Sequence, residues 1–418
     1  MKYKKQIETF IDYFREAETR SSRHKIGVEF EHFILDSNLN AISYYGKEGV
    51  ETLLEELNDS KWSPVFEKEH LVGLENDDAV LTLEPGAQLE ISIKPCETLM
   101  EIKDIYLEFL AQLKSVLNKR GQKAAVLGYQ PQTSIEDIEL LPKKRYDYMY
   151  DYFADQGKYA YNMMKGTASI HINIDYTDEE DYIKKMRTAY FISPLIYYLF
   201  DNTPYFEGRE VRGTSIREKI WRNCDNERSA VIEGLFDKKF GYRDYAEYLL
   251  DTPPIISKSG GEFEYSRDKL LRELMDSTDQ QTVEHYLSMV FPDVRSKKYI
   301  EIRAADGLPY PYNFGYAALL KGLFYDEKNL NSLYNRSLEY DQQQFLAFRN
   351  KIINNDENPA RDELIEELIL MADGVLAENK KYLEYVKEIF FQHQKAKYKT
   401  LNSSAESKNE ALSWCVLN

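Results

Sequence analysis

Residues 26–36 read IGVEFEHFILD. Ile26, Val28 and Phe30 alternate with Gly27, Glu29 and Glu31, the period of a β-strand with one apolar face. The opposite face carries two carboxylates a single pleat apart. Like charges at that spacing repel, and burying either is costly without a partner. The face is therefore either open to water or set against something positively charged.

Three further segments repeat the pattern. In LTLEPGAQLEISIK (81–94), Glu84, Gln88, Glu90 and Ser92 share one parity, with Leu89, Ile91 and Ile93 on the other. In TASIHINID (167–175), Ser169, His171, Asn173 and Asp175 alternate with Ile170, Ile172 and Ile174. In YIEIRAADG (299–307), Glu301 and Arg303 alternate with Ile300 and Ile302. Any one of these strands reads equally well as part of an antiparallel sheet with one wet face. Four of them on a concave sheet would converge Glu29, Glu31, Glu84, Glu90, Glu301 and His171 on one space. Such a set suits Mg²⁺ or Mn²⁺, which take oxygen ligands and tolerate an imidazole. Zinc is disfavoured by the lack of thiolates and by a single suitable histidine. The histidines at 24, 32, 70, 285 and 393 fall in loops, on helices or on the apolar side of a strand, and read as structural.

Around these strands the chain reads as helical. Ile7, Phe10, Ile11 and Phe14 mark a helix over 4–19. Ile102, Ile105, Phe109, Leu113 and Val116 mark another over about 98–119, with Gly121 just past its end. AYFISPLIYYLF (189–200) is too short to span a bilayer and contains Pro194, so it reads as a buried helix. Beyond about 315 the pattern is helical to about 395. No repeat or Pro/Gly/Ser linker divides the chain. The expectation is one α+β catalytic domain over 1–395, a mostly antiparallel sheet flanked by helices, followed by a frayed tail over 396–418.

Of 418 residues, 43% are hydrophobic and 30% charged, a globular composition, and the formal net charge is −17. An acidic surface disfavours nucleic acid and anionic lipid as partners. No secretory signal is expected in MKYKKQIETFIDYF, and three widely spaced cysteines (96, 224, 415) without a CxxC suit a reducing cytoplasm. The 33 tyrosines read mostly as packing residues. A monomer or homodimer is expected.

Cations concentrate in mid-chain. PKKRYDYM (142–149) offers Arg145, and TSIREKIWRNCDNERS (214–229) offers Arg217, Trp221 and Arg228 on one face if helical. Guanidinium groups are forks for carboxylate and phosphate. No GxxxxGK[ST], GxGxxG or GxSxG occurs, so any nucleotide must be held by metal ions and arginines.

These blocks, with LGYQP (127–131), NTPYFEG (202–208), FGYRDYAEYLLDTP (240–253) and FPDVRSKKYIEIRAADG (291–307), resemble the glutamate–cysteine ligases of the plant and proteobacterial type. The likeness runs in family order over about 24–325. It implies a curved, glutamine synthetase-like catalytic sheet. It also implies ATP-dependent joining of L-cysteine to the γ-carboxylate of L-glutamate, the first step of glutathione synthesis. By the same resemblance Glu29, Glu31, Glu84, Glu90, His171 and Glu301 match metal positions for two or three Mg²⁺ ions, with Mn²⁺ able to substitute. Arg145 and Arg217 match positions that hold the substrate glutamate, with Trp221 beside them, and Arg228 and Arg303 would lie near the transferring phosphate. Plant members carry glutamine at the position of His171, and neither their transit peptide nor their regulatory cysteines are expected here. The alternative is a related ligase joining glutamate to a different amine. A glycoside hydrolase, which needs only two carboxylates, and a Ca²⁺- or carbohydrate-binding module account less well for the carboxylates and arginines together.

Overall fold

Among the described residues, nine antiparallel strands form one open sheet that sets the four polar-faced segments side by side. A computed structural model of the protein describes residues 2–417 apart from 214, 238, 260–261, 267–268, 355–356 and 378. The strands are β1 (Ile26–Leu35), β2 (Ser63–Glu67), β3 (His70–Glu75), β4 (Ala79–Leu83), β5 (Leu89–Cys96), β6 (Lys123–Ala125), β7 (Ser169–Ile174), β8 (Val294–Ser296) and β9 (Ile300–Asp306). Their order is β8-β9-β7-β1-β5-β4-β3-β2, with β6 paired to the far end of β1.

The register explains why period two was informative. Val28 pairs with Ile93 on one side and Ile172 on the other, and Ile172 pairs with Ile302, so one apolar row crosses four strands. Phe30, Ile91 and Ile170 form the next row. All of these side chains are buried, each contributing roughly 1.5–3 kcal/mol relative to exposure. Rows of opposite parity carry the polar groups: Glu31 opposite Glu90, Glu29 between Ser92 and His171, and Glu301 opposite Asn173.

Helices cover the apolar face. After α1 (Lys2–Glu16), α2 (Leu99–Arg120) and the later 312–324 helix bring Tyr106 and Phe314 to 4.5 and 5.9 Å from the Phe30 ring. α2 begins at a capping box, in which Thr98 and Glu101 satisfy each other's backbone N–H, and stops at Gly121 in the left-handed conformation. Shorter helices α3 (Lys144–Phe153) and α4 (Ala160–Gly166) touch each other. α5 (Glu179–Leu199) is the buried helix expected from its apolar run, and it packs on β9. α6 (Ile216–Arg222) carries the Arg/Trp face, and α7 (Tyr312–Phe324) backs the sheet. Further helices fill the region from 327 to 388.

Two expectations change. LTLEPGAQLEISIK is a hairpin rather than one strand: β4 and β5 are joined by residues 84–88, where the N–H of Glu84 donates to Gln88 O and that of Ala87 to Glu84 O. Gly86 is required there, because a Cβ would stand 2.3 Å from the Lys165 carbonyl oxygen. The 396–418 stretch is not a frayed tail. α8 (Ala396–Leu401) is packed inward with Lys397 buried, Cys415 is buried, and Val416 bridges Ala125 at the end of β6. Asn418 lies outside the described residues.

Candidate active site

The polar face of β1, β5 and β7 floors a cavity of about 610 Å³. Oxygen or nitrogen atoms of Glu29, Glu90 and His171 lie within 4.8 Å of one another there. His171 Nδ1 is 2.7 Å from Glu29 Oε2, and Asn173 Nδ2 donates to Glu29 Oε1 at 2.9 Å. Ser169 Oγ is 2.9 Å from both Glu31 Oε1 and His171 Nε2, and the Ser169 N–H donates to Glu31 Oε2. Glu90 Oε1 accepts from Thr82 Oγ1 at 3.1 Å and from Ser92 Oγ at 2.7 Å. Glu84 lines the same cavity from the hairpin turn.

Crowding these carboxyls divides the charge unequally among them. Burial first, then Glu29, Glu84 and Glu31, raise the Glu90 carboxyl well above its ordinary value. Burial and Glu84 push Glu31 up to about 8 against the pull of Arg217 and Arg303. For Glu29, burial and the charge of Glu301 oppose ionisation. The hydrogen bond and charge of His171, helped by Lys297, outweigh them and bring it down to about 2. Burial and Arg303 lower His171 to about 4, so its ring is neutral near neutrality. His171 Nδ1–H donates to Glu29 Oε2 and the Ser169 hydroxyl donates to Glu31 Oε1, with Glu31 and Glu90 the carboxyls of the group that hold a proton longest. The donor set, carboxylates on adjacent strands around one neutral imidazole, fits a hard divalent cation, whose charge would replace those protons.

Glu301 adjoins this group, its charge acting on both Glu29 and His171. It is fully buried, accepts from Arg295 at 2.7 and 3.1 Å, Lys297 at 2.8 Å and Arg303 at 3.1 Å, and does not line the cavity. Burial works against its charge, but the three cations hold it well below the ordinary carboxylate range. The structure thus places it as the counter-ion of three cations that line the cavity.

The expected arginines divide as well. Arg145 lines the cavity and is tied by Nη1 to Ser288 Oγ and by Nη2 to Ser288 O. Arg303 lines it and lies 5.7 Å from the Trp221 ring, which is also part of the wall. Arg217 lies behind that wall, fully buried, donating to the carbonyls of Arg303 and Ala304. Those two residues form a β-bulge: Ile302 pairs with Ile172, and pairing resumes at Ala305 with Ile170. Arg217 satisfies carbonyls that the bulge withdraws from the ladder. Arg228 is not brought to the cavity; its guanidinium is bound by Asp225, Tyr152, Glu227 and the Pro253 carbonyl.

Arg295, Lys297 and Lys143 were missed by sequence reasoning, and all three line the cavity. Arg295 was findable, since it pairs directly with Glu301 across the β8–β9 hairpin and shares its parity. Lys143 has no such signal; its place follows from the fold around α3. One wall of the cavity is apolar, with Met149, Met163, Met164, Phe263 and Phe291.

Residues 25–390 match the model of glutamate-cysteine ligase family 2 (GCS2). The chain is 31% identical over 374 residues to glutamate–cysteine ligase B, chloroplastic, of Oryza sativa subsp. japonica, covering 86% of this chain and 74% of that protein. It is 30% identical over 389 residues to the chloroplastic glutamate–cysteine ligase of Brassica juncea, covering 90% and 74%. Among solved structures, a glutamate–cysteine ligase of Francisella tularensis in complex with AMP superposes with a TM-score of 0.57 at 13% identity, covering 94% of this chain and 87% of that one. That likeness is one of fold.

Proposed function

The chain belongs to glutamate-cysteine ligase family 2, and from that premise we infer that it joins L-cysteine to the γ-carboxylate of L-glutamate with hydrolysis of ATP to ADP and phosphate, the first step of glutathione biosynthesis. A free carboxylate does not acylate an amine, because oxide is too poor a leaving group. ATP phosphorylates the γ-carboxylate, giving γ-glutamyl phosphate and ADP. The cysteine amine then attacks the acyl carbon, phosphate leaves, and the amine loses a proton.

In this reading Glu29, Glu90 and His171, with Glu31 and Glu84 alongside, hold Mg²⁺ or Mn²⁺ ions, two or three in number. When bound, such ions screen the repulsion between the γ-carboxylate and the triphosphate. Arg303 faces the transferring phosphoryl group, and its guanidinium is oriented by Glu301 and by Trp221. Arg145, braced on Ser288, takes a carboxylate of an amino-acid substrate. Arg217 acts through the backbone, fixing the bulge from which Arg303 projects.

The observation that carries the reading is the convergence of carboxylates and guanidinium groups on one cavity of a chain that matches the family over residues 25–390. For location, three free thiols support a reducing compartment; the curated plant relatives are chloroplastic.

The test is phosphate release from ATP with Mg²⁺, measured with glutamate alone and then with each of several amines, with the product identified by mass. Release that needs both glutamate and cysteine and yields a γ-linked dipeptide establishes the activity. Release driven by a different amine would make the chain a ligase of another acceptor. No glutamate-dependent release would overturn the reading.

A further inference from the structure

Among the described residues, five cationic side chains line the cavity: Lys143, Arg145, Arg295, Lys297 and Arg303. Three of them are committed. Arg295, Lys297 and Arg303 each bond to the fully buried Glu301, which fixes their direction and offsets part of their charge. Lys143 and Arg145 differ. Neither has a carboxylate within ion-pair distance among the described residues, and each is held by neutral groups. Lys143 Nζ donates to the Leu83 carbonyl at 3.0 Å, and Arg145 is held by Ser288.

Those tethers fix direction without neutralising charge. The Lys143 ammonium has three donors, and a single carbonyl takes one of them. Its stem runs alongside Tyr146, whose ring centroid is 5.3 Å from Nζ and whose hydroxyl donates to the same Leu83 carbonyl. Lys143 is the residue that caps α3, and Arg145 lies in the first turn of that helix. The two charges are therefore presented to the cavity from one rigid element, two residues apart.

Resting on the ligase reading, we propose that Lys143 is a substrate-binding residue. With Arg145 it takes the α-carboxylate of one of the two amino-acid substrates. Each amino acid brings an α-carboxylate that the reaction leaves unchanged, and holding it orients the reacting γ-carboxylate or amine. A carboxylate accepts both an ammonium donor and a guanidinium donor, so the pair forms a two-point clamp. Lys144, between them, is excluded from this role: it does not line the cavity, and its ammonium lies over Tyr148.

Initial-rate kinetics on the full chain with ATP and Mg²⁺ test this with Lys143→Gln, Lys143→Arg and Lys144→Met. Glutamine keeps a donor for Leu83 O and removes only the charge, so Lys143→Gln separates binding from folding. Its KM for glutamate or for cysteine should rise at least tenfold, with KM for ATP within twofold of wild type. Lys143→Arg should recover most of the loss, and Lys144→Met should match wild type. The amino acid whose KM moves is the one held. Unchanged KM for both amino acids, a shift confined to ATP, or a loss confined to kcat would each overturn the assignment. A wild-type protein with no glutamate-dependent release would instead sink the ligase reading.

Discussion

Glu29 and His171 face each other on adjacent strands, paired Cα to Cα in the β1–β7 register and joined by a 2.7 Å contact between Oε2 and Nδ1. That bond settles which carboxyl of the group keeps its charge. Glu29 is stabilised as an anion by the imidazole, while Glu31 and Glu90, lacking such a partner, are pushed towards the protonated form.

Glu90→Gln should fold normally. Its amide oxygen can still accept from Thr82 and Ser92, and a neutral side chain matches the protonated form that burial favours there. Turnover should fall by about 100-fold or more, the scale of losing a metal-site partner. Urea unfolding with and without Mg²⁺ provides the check: added Mg²⁺ should raise the wild-type midpoint and leave the variant's unmoved.

Glu301→Gln should behave differently, because this carboxylate balances Arg295, Lys297 and Arg303. Removing one partner from a buried charge cluster costs roughly 3–5 kcal/mol. The loss should appear in EDTA as well as in Mg²⁺. A variant as stable as wild type in EDTA would return Glu301 to the metal group.

Arg217→Lys asks whether the bulge matters to catalysis. One ammonium cannot reach both the Arg303 and the Ala304 carbonyl in the geometry of a fork. The expected result is a loss of about 1.5–3 kcal/mol in stability, the worth of one charged hydrogen bond. A fall in kcat should accompany it as Arg303 loses its register, with KM for ATP little changed.

The parity rule made much of this legible in the sequence. Glu29, Glu31, Glu90 and His171 were found because a sheet with one buried face forces every second residue to the other side. Glu84 was found by the same count although it sits in a turn. The rest depended on contacts that no local pattern encodes. Glu301 has the parity of the metal group, yet its neighbours on β8 and β9 neutralise it. Arg217, Trp221 and Arg228 share a helical spacing, but the chain breaks after Arg222 and restarts in a short turn of helix at Asn226, so Arg228 points elsewhere. The polar SSAESKNE stretch is largely exposed, as it reads, but the anchors beyond it, Leu412 and Cys415, were not legible because their partners near Val126 and Asn202 are far away in sequence.

Asp306 gives the protein a pH dependence independent of the metal group. Its Oδ2 accepts from the Asn202 N–H and the Thr203 hydroxyl, and burial first, then Asp201, raise it from 3.8 to about 7. A carboxyl raised on folding stabilises the native state below its unfolded value and loses that contribution as pH climbs to the folded value. Stability should therefore decline between about pH 4 and 7 by up to about 1.4 kcal/mol per pH unit. Asp306→Asn, whose amide oxygen keeps both bonds, should lessen that slope in urea midpoints taken from pH 5 to 8, leaving the share that Glu31 contributes over the same range.

The C-terminal segment supplies the last prediction. Lys397 and Asp201 form a fully buried ion pair at 2.7 Å, and the Lys397 N–H donates to the Asp201 carbonyl. Asp201 leads into Asn202 and Thr203, which hold Asp306 at the end of β9. A buried carboxylate left with only the Lys395 ammonium, 4.0 Å away, is worse than a neutral amide in the same place. Lys397→Met should thus cost roughly 3–5 kcal/mol, and Asp201→Asn less. The double variant should be more stable than the sum of the two losses predicts, by about 1–3 kcal/mol of coupling. Strictly additive losses in urea unfolding would mean that Lys397 acts through packing alone, and that charge does not tie the segment to the sheet.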